Sequence, residues 1–209
     1  DVQSADGVIA MAAQECIGIP GYALTYTSSS PAGLTVYAGD SISLTNIDGD
    51  LFVNEVFAGG KMVELKAPAG GNYGGTVAAG LWVSLEARED VGDARNPLRI
   101  ATTDSDGGLI GKIGGSAYIE GLDDCVTTLI DLRLGGDLSL ASYEIVLAGP
   151  VKADGDLNLL AFRSIVGGND DKETSISGRN IQLMAMNGGI GEPARSVIVD
   201  RHAKINAEA

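Results

Sequence analysis

The sequence predicts an all-β solenoid, a parallel β-helix with about 20 residues per coil, and three observations carry that expectation. The first is a recurrence: Gly60-Lys61-Met62-Val63-Glu64-Leu65-Lys66-Ala67 and Gly80-Leu81-Trp82-Val83-Ser84-Leu85-Glu86-Ala87 align without a gap, 20 residues apart. Units repeating at this period bury their apolar edges only by stacking on their neighbours. The second is alternation inside each unit, as in Val63-Glu64-Leu65-Lys66-Ala67 or Leu157-Asn158-Leu159. Period two describes strands with one face inside and the other in water. The third is the punctuation: Asp48-Gly49, Ala58-Gly59-Gly60, Pro68-Ala69-Gly70-Gly71, Asp106-Gly107-Gly108, Gly167-Gly168-Asn169-Asp170 and Asn187-Gly188-Gly189. Glycine is expected to provide positive φ in these corners. Such turns also suit antiparallel hairpins, but the motif never reverses its order, which favours parallel stacking.

Taken in order, the chain opens with an alternating strand, Val8/Ala10/Ala12. Ile17-Gly18-Ile19-Pro20 follows, with Leu24-Thr25-Tyr26 starting seven residues after Ile17. The same phrase returns as Val91-Gly92, leading through Asn96-Pro97 to Leu98-Arg99-Ile100, and as Ile190-Gly191-Glu192-Pro193, leading to Val197-Ile198-Val199. These copies stand 74 and 99 residues apart, which reads as a slower repeat of four to five coils. Glycine starts of the basic unit stand at Gly39, Gly60, Gly80, Gly115, Gly136, Gly155 and Gly178. The 35 residues between Gly80 and Gly115 imply an extra strand and a protruding loop at Thr102-Thr103-Asp104-Ser105-Asp106-Gly107-Gly108. Glu120-Gly121-Leu122-Asp123-Asp124-Cys125 reads as a second irregular corner. Loops that project from a solenoid are where binding functions concentrate. Residues 1–209 read as a single β-helix segment, and the opening Asp1 suggests an internal piece of a longer repeat protein.

Composition bounds the function. The chain has 30 glycines, few aromatics (5%) and 44% apolar residues, too hydrophobic for a disordered tail and without a run long enough to span a membrane as a helix. Its formal net charge is −14, with no basic cluster along the sequence. Nucleic acid and anionic membrane surfaces are therefore not expected as partners. The acidity serves solubility or collects calcium. Cys16 and Cys125 lie about five coils apart, roughly 24 Å at the usual strand spacing, too far for a mutual disulfide.

No catalytic, cofactor-binding or metal residue is expected. Asp104-Ser105-Asp106-Gly107-Gly108 resembles the start of a calcium loop but lacks the distal glutamate, so an Asx turn is the expectation and structural calcium the alternative. Asp123-Asp124 and Asp170-Asp171 are weaker candidates. The single histidine, His202, has no identifiable partner, and no nucleophile motif occurs. A groove with three or more converging carboxylates would mark an enzyme instead. Met62 and Trp82 occupy equivalent outward positions in successive coils. They form either an exposed lateral contact, for another rod or a sugar ring, or a pair covered by a neighbouring turn.

Three phrases, Asp40-Ser-Ile-Ser-Leu-Thr-Asn-Ile-Asp-Gly-Asp-Leu, Ala58-Gly-Gly-Lys-Met-Val-Glu-Leu-Lys-Ala and Val91-Gly-Asp-Ala-Arg-Asn-Pro-Leu-Arg-Ile, resemble filamentous-haemagglutinin-type repeats of very large bacterial surface proteins. The resemblance covers most of the chain, is clearest over residues 39–120 and lapses over 121–135. It implies export, a right-handed parallel β-helix and a role as adhesin, fibre or extracellular scaffold; the hand agrees with the general chirality of parallel crossovers. The expected object is a rod of nine or ten coils, roughly 45 Å long at ~4.8 Å per coil. Its core would be ladders such as Val63/Val83 and Leu65/Leu85. The expected function is a structural and adhesive segment at the cell surface, whose partners are other copies of itself, a host or neighbouring cell surface, or a glycan. A self-assembling filament unit is the first alternative and a polysaccharide-degrading β-helix enzyme the second.

Overall fold

The computed structural model describes residues 2–4, 7–28, 31–168, 175–192, 195–199 and 204–208. Parallel strands stack into a β-solenoid of about nine turns with roughly 21 residues per coil, and the described residues contain no helix. Two sheets run its length. Sheet A includes Ser41–Asn46, Met62–Ala67, Trp82–Ala87, Gly108–Ile113 and Val126–Leu134; sheet B includes Leu34–Ala38, Leu51–Ala58, Thr76–Ala79, Leu98–Thr102, Ala117–Gly121, Leu138–Ser142 and Leu157–Ala161. Every pairing between these strands is parallel. Some coils bend once more. Val126–Leu134 pairs through its first half with Glu144–Leu147 and through its second with Val151–Ala153.

The core is a set of ladders one residue wide. On sheet A, Ile42, Val63, Val83 and Leu109 stack in register, as do Leu44, Leu65 and Leu85, all buried. On sheet B, Val36, Val56, Val77 and Ile100 do the same, and Leu98, Ile119, Leu140, Leu159 and Leu183 form a longer column. Branched aliphatic side chains fill the pleat between two sheets without polar atoms. Each full burial is worth roughly 1.5–3 kcal/mol. Because every rung supplies the same few contacts, stability accumulates along the rod rather than at one centre.

The glycine starts fall into two families. Gly39, Gly60 and Gly80 lie where a sheet B strand turns into sheet A; Gly115, Gly136, Gly155 and Gly178 lie at the opposite corner, where sheet A turns into sheet B. The interval from Gly80 to Gly115 accordingly holds three strands, Trp82–Ala87, Leu98–Thr102 and Gly108–Ile113, and the expected extra strand arises because the interval runs from one corner to the opposite one. The coil between Val83 and its partner Leu109 spans 26 residues, against 20 between Val63 and Val83. The longer coil contains the exposed residues 93–96 and 103–106.

Positive φ is not the reason for most corner glycines. Of the glycines in the predicted breakers, only Gly49 has it, at 105°. At Gly80 the requirement is space, because a Cβ there would stand 1.6 Å from the carbonyl oxygen of Gly60 in the coil below. Corners stack as tightly as strands, so a side chain has nowhere to go.

Positive φ belongs instead to the slower motif, at 65°, 63° and 74° for Gly18, Gly92 and Gly191. In each copy the residue after the glycine and the residue three further on exchange two backbone hydrogen bonds: Ile19 with Tyr22, Asp93 with Asn96, Glu192 with Arg195. A left-handed glycine thus turns the chain out into a minimal antiparallel excursion that returns to the stack. The first and third copies re-enter sheet A, whereas the second re-enters sheet B. The motif is therefore a detachable turn used at either face, and the copies do not mark equivalent points of a longer repeat.

Candidate functional site

Met62 and Trp82 are paired neighbours on the outer face of sheet A, and both are half-buried. The next position in their column is Gly108, which has no side chain. Ile130 Cδ1 and the Thr128 carbonyl fill the space a Gly108 side chain would need, and Trp82 lines a groove of about 930 Å³ whose apolar surfaces include Ile130, Val146 and Ala148. The turn Thr103–Gly107 borders the groove, and Arg195 enters it from a later coil. Arg195 is held in place by Nε donation to the Gly167 carbonyl at 2.9 Å. The groove thus combines an indole, a guanidinium, two carboxylates and several hydroxyls.

The turn itself is an Asx turn. The Asp104 carboxylate accepts the Asp106 N–H at 3.0 Å and its carbonyl accepts the Gly107 N–H at 3.1 Å. That geometry keeps the Asp104 side chain occupied within its own loop. Among the described residues, no three or more His, Cys, Asp and Glu side chains gather in a metal-holding group. Asp170, Asp171 and His202 lie outside the described residues.

The irregular corner at residues 120–125 is built differently. Asp123 is the single non-glycine among the described residues with positive φ, at 44°, in the left-handed region that favours Asp, Asn and Gly. Side chains close this corner: Ser142 Oγ donates to the Cys125 carbonyl at 3.0 Å and lies 2.8 Å from the buried Thr127 Oγ1. A hydroxyl has one proton, so Thr127 is the donor to Ser142. Gly121 leaves room for this pair, since a Cβ there would stand 2.4 Å from Ser142 Oγ. Cys125 is a free, half-buried thiol, and burial followed by the charges of Asp123 and Asp124 pushes its pKa up. Cys16 is also free.

Beside this corner lies a smaller pocket of about 320 Å³ on the sheet B side. Its apolar wall is exposed: Leu160 (38%), Phe162 (52%) and Met186 (62%), with Tyr143 stacked on Phe162 at 5.7 Å between ring centroids. Its acidic wall is Glu120, Asp123 and Asp124. Three carboxylates thus border one pocket, although Glu120 also faces Arg99 at 3.8 Å. A second exposed aromatic pair, Tyr37 and Phe57, stands in adjacent coils of sheet B, with the Tyr37 hydroxyl donating to Glu55. Alternation alone would have found these two: Val36 and Val56 point inward, so Tyr37 and Phe57 point out.

Charge is also rearranged by the register. The sequence shows no basic cluster, yet Lys112, Arg133 and Lys152 pair in one exposed column of sheet A, each a coil apart. Arg133 is tied to Asp131 at 3.1 Å. Comparison with known protein families, with curated proteins and with solved structures finds no match for this chain.

Proposed function

We propose that the chain is a structural and adhesive β-helical segment of a large extracellular bacterial surface protein, and that it engages a glycan through the groove beside Trp82. The observation that supports this reading most is the half-buried indole set against hydroxyl, carboxylate and guanidinium groups in one groove. Sugar rings present apolar faces edged by hydroxyls, which such a mixed wall complements. The resemblance to filamentous-haemagglutinin-type repeats points the same way, as does a stack of coils that displays its interruptions on a stiff rod.

Trp82 is the only tryptophan of the chain, so its fluorescence reports on this groove directly. Titration with glycans selected on an array is expected to shift or quench that emission. Trp82→Ala should weaken binding about tenfold, the order of a lost aromatic platform, while Trp82→Phe retains part of it. An array without a single bound glycan, or binding that leaves the tryptophan emission unchanged, would sink the proposal.

Two other readings each have one supporting feature. The Tyr37–Phe57 strip offers a lateral face for a filament of copies, which sedimentation at rising protein concentration would reveal. Glu120, Asp123 and Asp124 around one pocket suit a polysaccharide-degrading enzyme, which release of reducing ends would reveal.

A further inference from the structure

We propose that the pocket between Asp123–Asp124 and Phe162 is a separate docking site for an arginine side chain of a partner protein. Its lining residues match the parts of that side chain. Leu160 and Met186 offer an apolar surface for the methylene stem, the exposed Phe162 ring, stacked with Tyr143 at 5.7 Å and 23°, offers a face for the planar guanidinium, and Asp123 and Asp124 line the same pocket as acids. Neither aspartate makes an ion pair among the described residues. Of the cations nearby, Arg99 faces Glu120 on the pocket's own acidic wall and leaves Asp123 and Asp124 unpaired, and Arg163, next in sequence to Phe162, faces Glu144 at 3.4 Å.

The charge of the whole chain selects the occupant. At −14, a second copy brought against an acidic pocket meets repulsion, whereas a basic partner is drawn in. The left-handed turn at Asp123 lies within this acidic wall.

The test uses the 209-residue chain and a blocked Gly-Arg-Gly peptide, with the uncharged citrulline analogue as its control. Binding is followed by the ring resonances of Phe162 and Tyr143. The arginine peptide is expected to shift both rings and to bind at least about fivefold more tightly than the citrulline peptide. Phe162→Ala and the paired D123N and D124N changes should each weaken it about fivefold or more. Asn tolerates the left-handed backbone and keeps the shape, so this variant should fold, which circular dichroism checks. The paired E86Q and E89Q changes remove equal charge from the outer surface elsewhere and should leave binding unchanged. Equal affinity for citrulline, shifts confined to other residues, or full binding by F162A would overturn the assignment. Glycan binding at Trp82 is read separately, so the two proposals fail independently.

Discussion

In the coils that carry Met62–Ala67 and Trp82–Ala87, six successive residues pair in register, the inward Val and Leu columns are buried, and the backbone supplies its own hydrogen bonds. At Glu120–Cys125 the corresponding ladder of sheet B ends after Gly121 pairs with Ile100. Leu122 reaches back to the Ile100 carbonyl, Cys125 turns onto Leu122, and Ser142 and Thr127 close the remaining gap with hydroxyls. The difference lies in who satisfies the backbone. Where rungs are equal in length, the next coil does; where the chain deviates, specific side chains must. Regularity therefore tolerates outward substitution, whereas the corner does not.

The largest effect should come from breaking the regular region. Leu65→Ala removes a fully buried rung between Leu44 and Leu85 and should cost about 2–5 kcal/mol of unfolding free energy in denaturant titration. A loss below about 1 kcal/mol would mean that the ladder is loosely packed.

A smaller effect tests the corner. Ser142→Ala strips the Cys125 carbonyl and the buried Thr127 hydroxyl of their partner and should cost about 1–3 kcal/mol. The double substitution with Thr127→Val removes the second orphan, so it should recover part of that loss; a further loss would refute the hydroxyl relay.

The smallest contrast compares two exposed acids. Asp123→Ala places a β-carbon without a compensating side-chain amide or carboxylate at φ 44° and should cost about 1 kcal/mol. Glu86→Ala, on the outer face of a regular strand, should stay within about 0.5 kcal/mol. Equal values for the two would remove the distinction between rung and corner.

Much of the rod was legible from particular residues. Val63/Val83 and Leu65/Leu85 are found as stacked, buried pairs because a period-two pattern repeated at 20 residues leaves one way to hide both columns. The slower phrase was legible too, in its constant spacing of seven, though not its geometry. Gly115 was misphased with Gly80 because opposite corners of a coil use the same residue for the same steric reason, close stacking of backbone. The pocket at Phe162 was not legible. Its walls come from residues 120–124, 141–143, 160–162 and 186, and the register that joins them depends on coil lengths that vary along the chain.

By itself, the sequence determined the class of the fold, the inward ladders and the places where the rhythm fails, since alternation and spacing are properties of short segments. Only the tertiary structure decided which distant residues share a column. It gathered Ile130, Val146 and Arg195 around one groove with Trp82, aligned Lys112, Arg133 and Lys152 in a chain with no basic run, and brought Asp123 and Asp124 to one pocket with Phe162. The physical reason is that parallel stacking carries each residue about 4.8 Å from a partner some twenty positions away, so adding or removing residues in one coil changes which residues meet in every column that follows.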